Sequence, residues 1–378
     1  MHEDRLIGIL KDEGINFAAS LPCDKAKDLC GLLPSSLETV ELLREEDGVG
    51  VCAGAYLAGR KPAMVIQSSG LGNMLNALLS LSRTYELPLP VIASWRGVYK
   101  ETIPAQVPFN TALPGILKAA EIPFVIVDHP DEFDRVRELI QTSYRSSTPA
   151  VALVSPRCWV GTQVCKPEEE EIADRSREIS CFHERTVPSP TMTRLDAIRA
   201  IVPHLNDAAV VSNIGIPGKE LFWTADRKEN FYMLGSYTQA SPIGLGIALS
   251  TRRRTIVIDG DGSLLGTAIL PVIAAKNPQN LVIVCLDNGV FGSTGNQMTP
   301  AYQQVDMELY ARACGFKKTV KVTSAEEISG VIASLEQGPS FIHIVIRPGN
   351  SDSPNIPLTP QKIRDRFMNA IRNDPIQG

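Results

Sequence analysis

The chain has 378 residues, 44% of them hydrophobic and 21% charged, with a formal net charge of −5. That length exceeds one compact core and suits two domains of roughly 150 residues each. The acidic balance argues against nucleic-acid binding, which needs clustered Lys and Arg, and no apolar run reaches the roughly 18–20 residues that cross a bilayer.

A helix is predicted over Asp4–Glu13 and a strand over Asn16–Ser20, followed by a small-residue helix over Asp47–Leu57. Ala63–Gln67, Val91–Ser94, Phe124–Val127 and Ala150–Val154 are short, β-branched and apolar on both faces, as central strands of a parallel sheet are. A helix pattern over Asp131–Tyr144 lies between the last two. Glu168 to Glu171, further mixed charge up to Arg185, and then Pro188 and Pro190 mark a solvated linker. The alternation then restarts. Leu195–Ile201, Ser241–Ser250 and Ala268–Lys276 read as helices, and Ala209–Ser212, Thr255–Asp259, Leu281–Asp287 and Phe341–Ile346 as buried strands. The fold class is α/β, with two doubly wound parallel-sheet domains over 1–166 and 191–378 joined by a linker at 167–190.

The N-terminus enters its first helix without a signal-peptide core, so a cytoplasmic protein is expected. The eight cysteines form no C-x-x-C pair, and reduced thiols are the simplest reading. The five histidines offer no catalytic pair; His129 precedes a proline and His343 falls inside a strand pattern.

The sharpest motif is Gly260-Asp261-Gly262-Ser263, where a strand ends and a helix should begin. Ligands bind outside the carboxyl ends of strands in open α/β sheets, and glycines there let backbone N–H groups approach a phosphate. A carboxylate in such a loop repels phosphate unless a cation bridges them, so Asp261 implies a divalent metal, with Mg²⁺ suited to oxygen donors. Downstream, Asn288 follows a second apolar strand and supplies a side-chain oxygen, and the Val290 carbonyl supplies another. Asp-Gly alone mostly marks turns; the paired motif, each half after a strand, is far more specific.

Gly260-Asp261-Gly262-Ser263 with Asn288 resembles the cofactor motif of the thiamine-diphosphate-dependent decarboxylases. Asn213 to Leu221, Phe231 to Ser236 and Phe291-Gly292-Ser293-Thr294-Gly295-Asn296-Gln297 resemble, within that family, the enzymes acting on sulfopyruvate and phosphonopyruvate. Some of the former consist of two separate chains, and this sequence looks like those two fused. The resemblance implies thiamine diphosphate and Mg²⁺ as cofactors, with sulfopyruvate converted to sulfoacetaldehyde and CO₂ in coenzyme M biosynthesis. Phosphonopyruvate is the alternative substrate, and a non-catalytic regulatory protein that binds thiamine diphosphate is the alternative class. It also implies self-association with the site at a subunit interface. A nucleotide-binding dehydrogenase fits poorly, because Gly244-x-Gly246 lacks the third glycine.

Thiamine chemistry needs a carboxylate beside the aminopyrimidine ring, and the family spacing counted back from Gly54 falls on Glu45, with Glu46 as fallback. Ser69, Gly70 and Asn73 resemble the loop lining the pyrimidine pocket. Gly235, Ser236 and Tyr237 resemble the segment under the bent cofactor, although Tyr237 departs from the family pattern and its hydroxyl would need a partner. Arg96, with Lys100 beside it, is the candidate for the second anionic group of the substrate, because a guanidinium fork suits a sulfonate.

Overall fold

Each apolar run bounded by turn residues forms a strand, and in the computed structural model, which describes residues 2–161, 188–334 and 338–372, the runs assemble into two sheets. The first contains β1 (Phe17–Ser20), β2 (Glu38–Glu41), β3 (Pro62–Gln67), β4 (Leu89–Ser94), β5 (Phe124–Val127) and β6 (Pro149–Val154). The second contains β7 (Ala209–Ser212), β8 (Asn230–Tyr232), β9 (Thr255–Gly260), β10 (Leu281–Asp287), β13 (Lys318–Val322) and β14 (Ser340–Val345). A short antiparallel ribbon, β11 (Val290–Phe291) with β12 (Gln297–Met298), follows β10. Their orders are β2-β1-β3-β4-β6-β5 and β13-β14-β10-β9-β7-β8, all parallel. Read from its other edge, the second order is the same permutation as the first, although the sequence carries no visible repeat.

Helices cover both sheets, which is why β3, β4, β6, β9, β10 and β14 are buried almost throughout. The first domain has α1 (His2–Asp12), α2 (Lys27–Ser36), α3 (Glu45–Leu57), α4 (Leu71–Ala77), α5 (Val107–Ala119) and α6 (Asp134–Ser146). The second has α7 (Arg194–Ile201), α8 (Ile216–Ala225), α9 (Ala240–Ser250), α10 (Asp261–Leu265), α11 (Ile269–Lys276), α12 (Met307–Ala313), α13 (Ala325–Ser334) and α14 (Pro360–Ile371). Most of the proposed linker, including its Glu168–Glu171 run, lies outside the described residues; Pro188 to Pro190 form no regular element. Among the described residues no helix is long and apolar enough to cross a membrane, and all six described cysteines are free thiols.

Of the small residues of α3, Gly48 packs on Leu42 and on Met64 of β3, and Gly50 and Gly54 face the second domain. They let α3 cross α9 of the second domain almost backbone to backbone. A Cβ on Gly54 would strike the Ile243 carbonyl, and one on Gly246 would strike the Val51 carbonyl. Gly244 packs on Val257 of β9, so the Gly244-x-Gly246 pair is a packing device. This crossing fixes how the carboxyl end of one sheet faces the other.

Candidate active site

The strand order of the second sheet reverses between β7 and β9, the kind of position where a crevice opens above a doubly wound sheet. A cavity of about 220 Å³ lies there, lined by Asn213, Gly260, Asp261, Gly262, Ser263, Asn288, Val290 and the loop Phe291 to Thr294. It is smaller than the roughly 300–1,000 Å³ of sites enclosing a whole small molecule, so it suits one polar end of a ligand. Asp261 and Asn288 are both buried, and Thr299 Oγ1 donates to Asp261 Oδ2. Burial, and then the negative charge of Asp287, push the Asp261 carboxyl up to about 6. A cation at Asp261 would offset both effects. With an amide oxygen at Asn288 and the Val290 carbonyl nearby, the donor set is all oxygen, as Mg²⁺ prefers.

The loop behind these donors is tightly held. Asp287 Oδ1 accepts from Gly289 N at 2.9 Å, and its Oδ2 lies 2.7 Å from His343 Nε2. Because His343 Nδ1 accepts from Glu308 N at 3.3 Å, the ring proton sits on Nε2 and is donated to Asp287. His343 is buried and structural, as expected, but its partner adjoins Asn288.

Gly235 to Gln239 form the wall between this cavity and the first domain. Ser236 and Thr238 have φ of +66° and +74°, a conformation that non-glycine residues hold only when their surroundings impose it. The Tyr237 hydroxyl finds its partner in the Gly262 carbonyl, tying this wall to the glycine loop. Ser236 Oγ and Gln239 Oε1 are buried with no hydrogen-bond partner among the described residues, so the wall carries unspent polar capacity.

The opposite wall comes from the first domain of the same chain. Tyr85 of that domain donates to the Tyr232 carbonyl at 2.9 Å and accepts from Leu234 N at 2.7 Å. At the start of α3, Arg44 Nη1 donates to the Gly266 carbonyl at 2.8 Å. Asp47 accepts from Thr267 Oγ1 at 2.6 Å and from Ala268 N at 3.1 Å. Glu45 lies between these two anchors. It is 5% exposed; its Oε2 accepts from Asn73 Nδ2 at 3.0 Å, and a Cβ on Gly70 would collide with its carboxyl group. Glu46 is paired with Arg44 instead. The spacing falls on Glu45 with Glu46 as fallback, and the two have different partners.

Gly70 and Asn73 thus lie beside Glu45, and Ser69 precedes them in the same loop. Asn110, which sequence reasoning missed, organises the same corner: it shares a hydrogen bond with Ser68 Oγ, and its Nδ2 donates to Ser69 Oγ at 3.0 Å and to the Gln106 carbonyl at 2.6 Å. Ser69 Oγ donates to Gln106 Oε1. Nothing in the local pattern of α5 marks Asn110, because Ser68 and Ser69 lie some forty residues earlier.

Arg96 is already engaged by carboxylates. Its guanidinium is 3% exposed, gripped by Glu101 through Nε at 2.8 Å and Nη2 at 3.0 Å, and bonded to Asp24 through Nη1 at 2.7 Å. The Arg96 hydrogen bond holds the Glu101 carboxyl down to about 2, so Glu101 stays ionised across the working pH range. Two carboxylates outweigh one guanidinium, and the cluster does not attract an anion. Lys100 is exposed, its Nζ 5.3 Å from the Tyr99 ring, and makes no contact with the Glu45 corner.

Residues 2–118 match the family model of the N-terminal thiamine pyrophosphate binding domain of thiamine pyrophosphate enzymes, and residues 218–344 match that of the C-terminal binding domain. The chain belongs to the thiamine pyrophosphate enzymes. Among family members, the sulfopyruvate decarboxylase of Methanosarcina acetivorans is 44% identical over 98% of this chain and 97% of its own. The phosphonopyruvate decarboxylase of Streptomyces viridochromogenes is 32% identical over 98% and 95%. The solved thiamine diphosphate-dependent 4-hydroxybenzoylformate decarboxylase of Rhodococcus jostii RHA1 superposes with a TM-score of 0.61 over 93% of this chain and all of that one, at 14% identity, a likeness of fold alone. In this thiamine pyrophosphate enzyme the two matched domains are the two walls of the cleft.

Proposed function

We propose that the chain is a thiamine-diphosphate-dependent decarboxylase that converts sulfopyruvate to sulfoacetaldehyde and CO₂, a step of coenzyme M biosynthesis in the cytoplasm. The carrying observation is Glu45, buried in one wall and anchored through its neighbours to the loop that follows Asp261. The 44% identity to a sulfopyruvate decarboxylase across nearly the whole chain supports the substrate. Phosphonopyruvate ranks second on the lower identity of that relative.

Asp261, Asn288 and the Val290 carbonyl would hold Mg²⁺, and Gly260, Gly262 and Ser263 would line the diphosphate. Gly235, Ser236 and Tyr237 would support the rings from beneath, and Ser69, Gly70 and Asn73 would bound the pyrimidine. When bound, thiamine diphosphate supplies an electron sink for the carbanion left as CO₂ departs. Glu45 keeps one oxygen committed to Asn73 and offers the other for proton exchange at the pyrimidine. The acidic tail of the substrate would be met by Gln106, whose Nε2 has no partner among the described residues, rather than by Arg96. Leu43, Leu234 and Met298, all exposed at the cleft margin, support self-association.

The test is CO₂ release from a panel of 2-oxo acids with thiamine diphosphate and Mg²⁺ supplied. Sulfopyruvate should give the highest kcat/KM, ahead of phosphonopyruvate. No turnover of any 2-oxo acid by protein that takes up the coenzyme would sink the decarboxylase reading.

A further inference from the structure

Among the described residues Arg194 is the one buried cation lining the cavity around Asp261 and Asn288, and no motif points to it. It opens α7, where Thr193 and Asp196 cap each other's backbone, so its position is set by the helix start. Its side chain is 6% exposed. Nε donates to Glu220 at 3.0 Å, and Nη2 donates to the Gly349 carbonyl at 3.3 Å and to Asn350 Oδ1 at 2.9 Å. Asn350 in turn donates to the Gly292 carbonyl at 2.8 Å, so the arginine is braced against the loop that closes the cavity. A guanidinium carries five N–H donors, and here both hydrogens of Nη1 remain without a partner among the described residues.

Arg194 lines the same cavity as Asp261 and Asn288, and a diphosphate with one divalent cation there would still carry net negative charge. Tyr237 marks the end of the cavity toward the first domain; Arg194 is tied to Gly292, beside Ser293 and Thr294. We propose that Arg194 is a phosphate-binding residue, its Nη1 donating to the terminal phosphate of thiamine diphosphate. It thereby sets the preference for a diphosphate over a monophosphate. The rival reading is a purely structural Arg194–Glu220 pair joining α7 to α8. The proposal rests on the cofactor reading above.

The experiment measures affinity by titration calorimetry, with Mg²⁺ present, for thiamine diphosphate and for thiamine monophosphate. Removing one member of a buried ion pair strands the other, so the main variant is the double change R194Q/E220Q. Loss of a charge-assisted hydrogen bond to phosphate should weaken the diphosphate about 10- to 100-fold and leave the monophosphate nearly unchanged. Glu220→Gln alone should keep the wild-type preference. Equal weakening of both ligands, or of neither, in R194Q/E220Q overturns the proposal. If that variant does not fold, Arg194→Lys is read in its place, with the ratio expected to fall part-way and an unchanged ratio overturning the assignment. Failure of the wild-type protein to bind thiamine diphosphate would instead overturn the cofactor reading itself.

Discussion

Glu45, Glu46 and Asp47 are consecutive acids at one helix start, yet each has a different partner and a different task. Glu45→Gln should lower kcat/KM by about 10²- to 10⁴-fold, the usual worth of a positioned proton-transfer group. Glu46→Gln, which breaks a half-exposed pair with Arg44, should cost less than about tenfold. The opposite ranking in steady-state decarboxylation would move the catalytic acid by one residue. Asp47 instead belongs to the seam between domains. Burial pushes its carboxyl up to about 6 from an ordinary 3.8, against the opposing hydrogen bonds from Thr267 and Ala268. The folded state therefore favours the protonated form. This stabilisation is complete below about pH 4 and fades as the pH rises through 6, a change of about 3 kcal/mol. Asp47→Asn should abolish that slope, visible as urea midpoints of wild type and variant that diverge between pH 4 and 7. Parallel curves would show that Asp47 ionises in the folded protein as it does unfolded.

Among the elements, the α3–α9 crossing makes the strongest demand on residue size. Gly54→Ala places a methyl group against the Ile243 carbonyl and should destabilise by about 1–3 kcal/mol. Gly115→Ala is the natural control. Gly115 lies in α5 with nothing within 4 Å of an added Cβ, so alanine should stabilise by about 0.5–1 kcal/mol through helix propensity. Chemical denaturation of both variants checks the pair, and equal effects would refute the steric account. The buried central strands were legible in the sequence because both their faces are apolar. The edge strands β2, β8 and β13 were not: Glu38-Thr39-Val40-Glu41 and Lys318-Thr319-Val320-Lys321-Val322 are short and carry charge, as exposed edges do. That Asp261 and Asn288 share one cavity was legible, since each follows an apolar strand. The bond from Arg96 to Asp24 was not, because a side chain's long-range partner leaves no trace in its own neighbourhood.

For the molecule as a whole, the two sheets share one strand permutation and present their carboxyl ends to a common cleft built within a single chain. The resemblance pointed to walls contributed by different subunits; here Glu45 and the loop after Asp261 already adjoin in one chain. Mixing Glu45→Gln protein with Asp261→Asn protein, after co-refolding, should therefore restore no activity. Recovery toward a quarter of the wild-type rate would mean that partners exchange domains. The glycine crossing also decides how a bulky guest gets in and out. With no slack at Gly54 or Gly246, the two lobes cannot swing apart like a jaw while that contact survives. The β11–β12 ribbon, where Phe291 and Met298 stand in solvent, borders the cavity instead, so pinning the nine-residue stretch Val290–Met298 should slow coenzyme exchange.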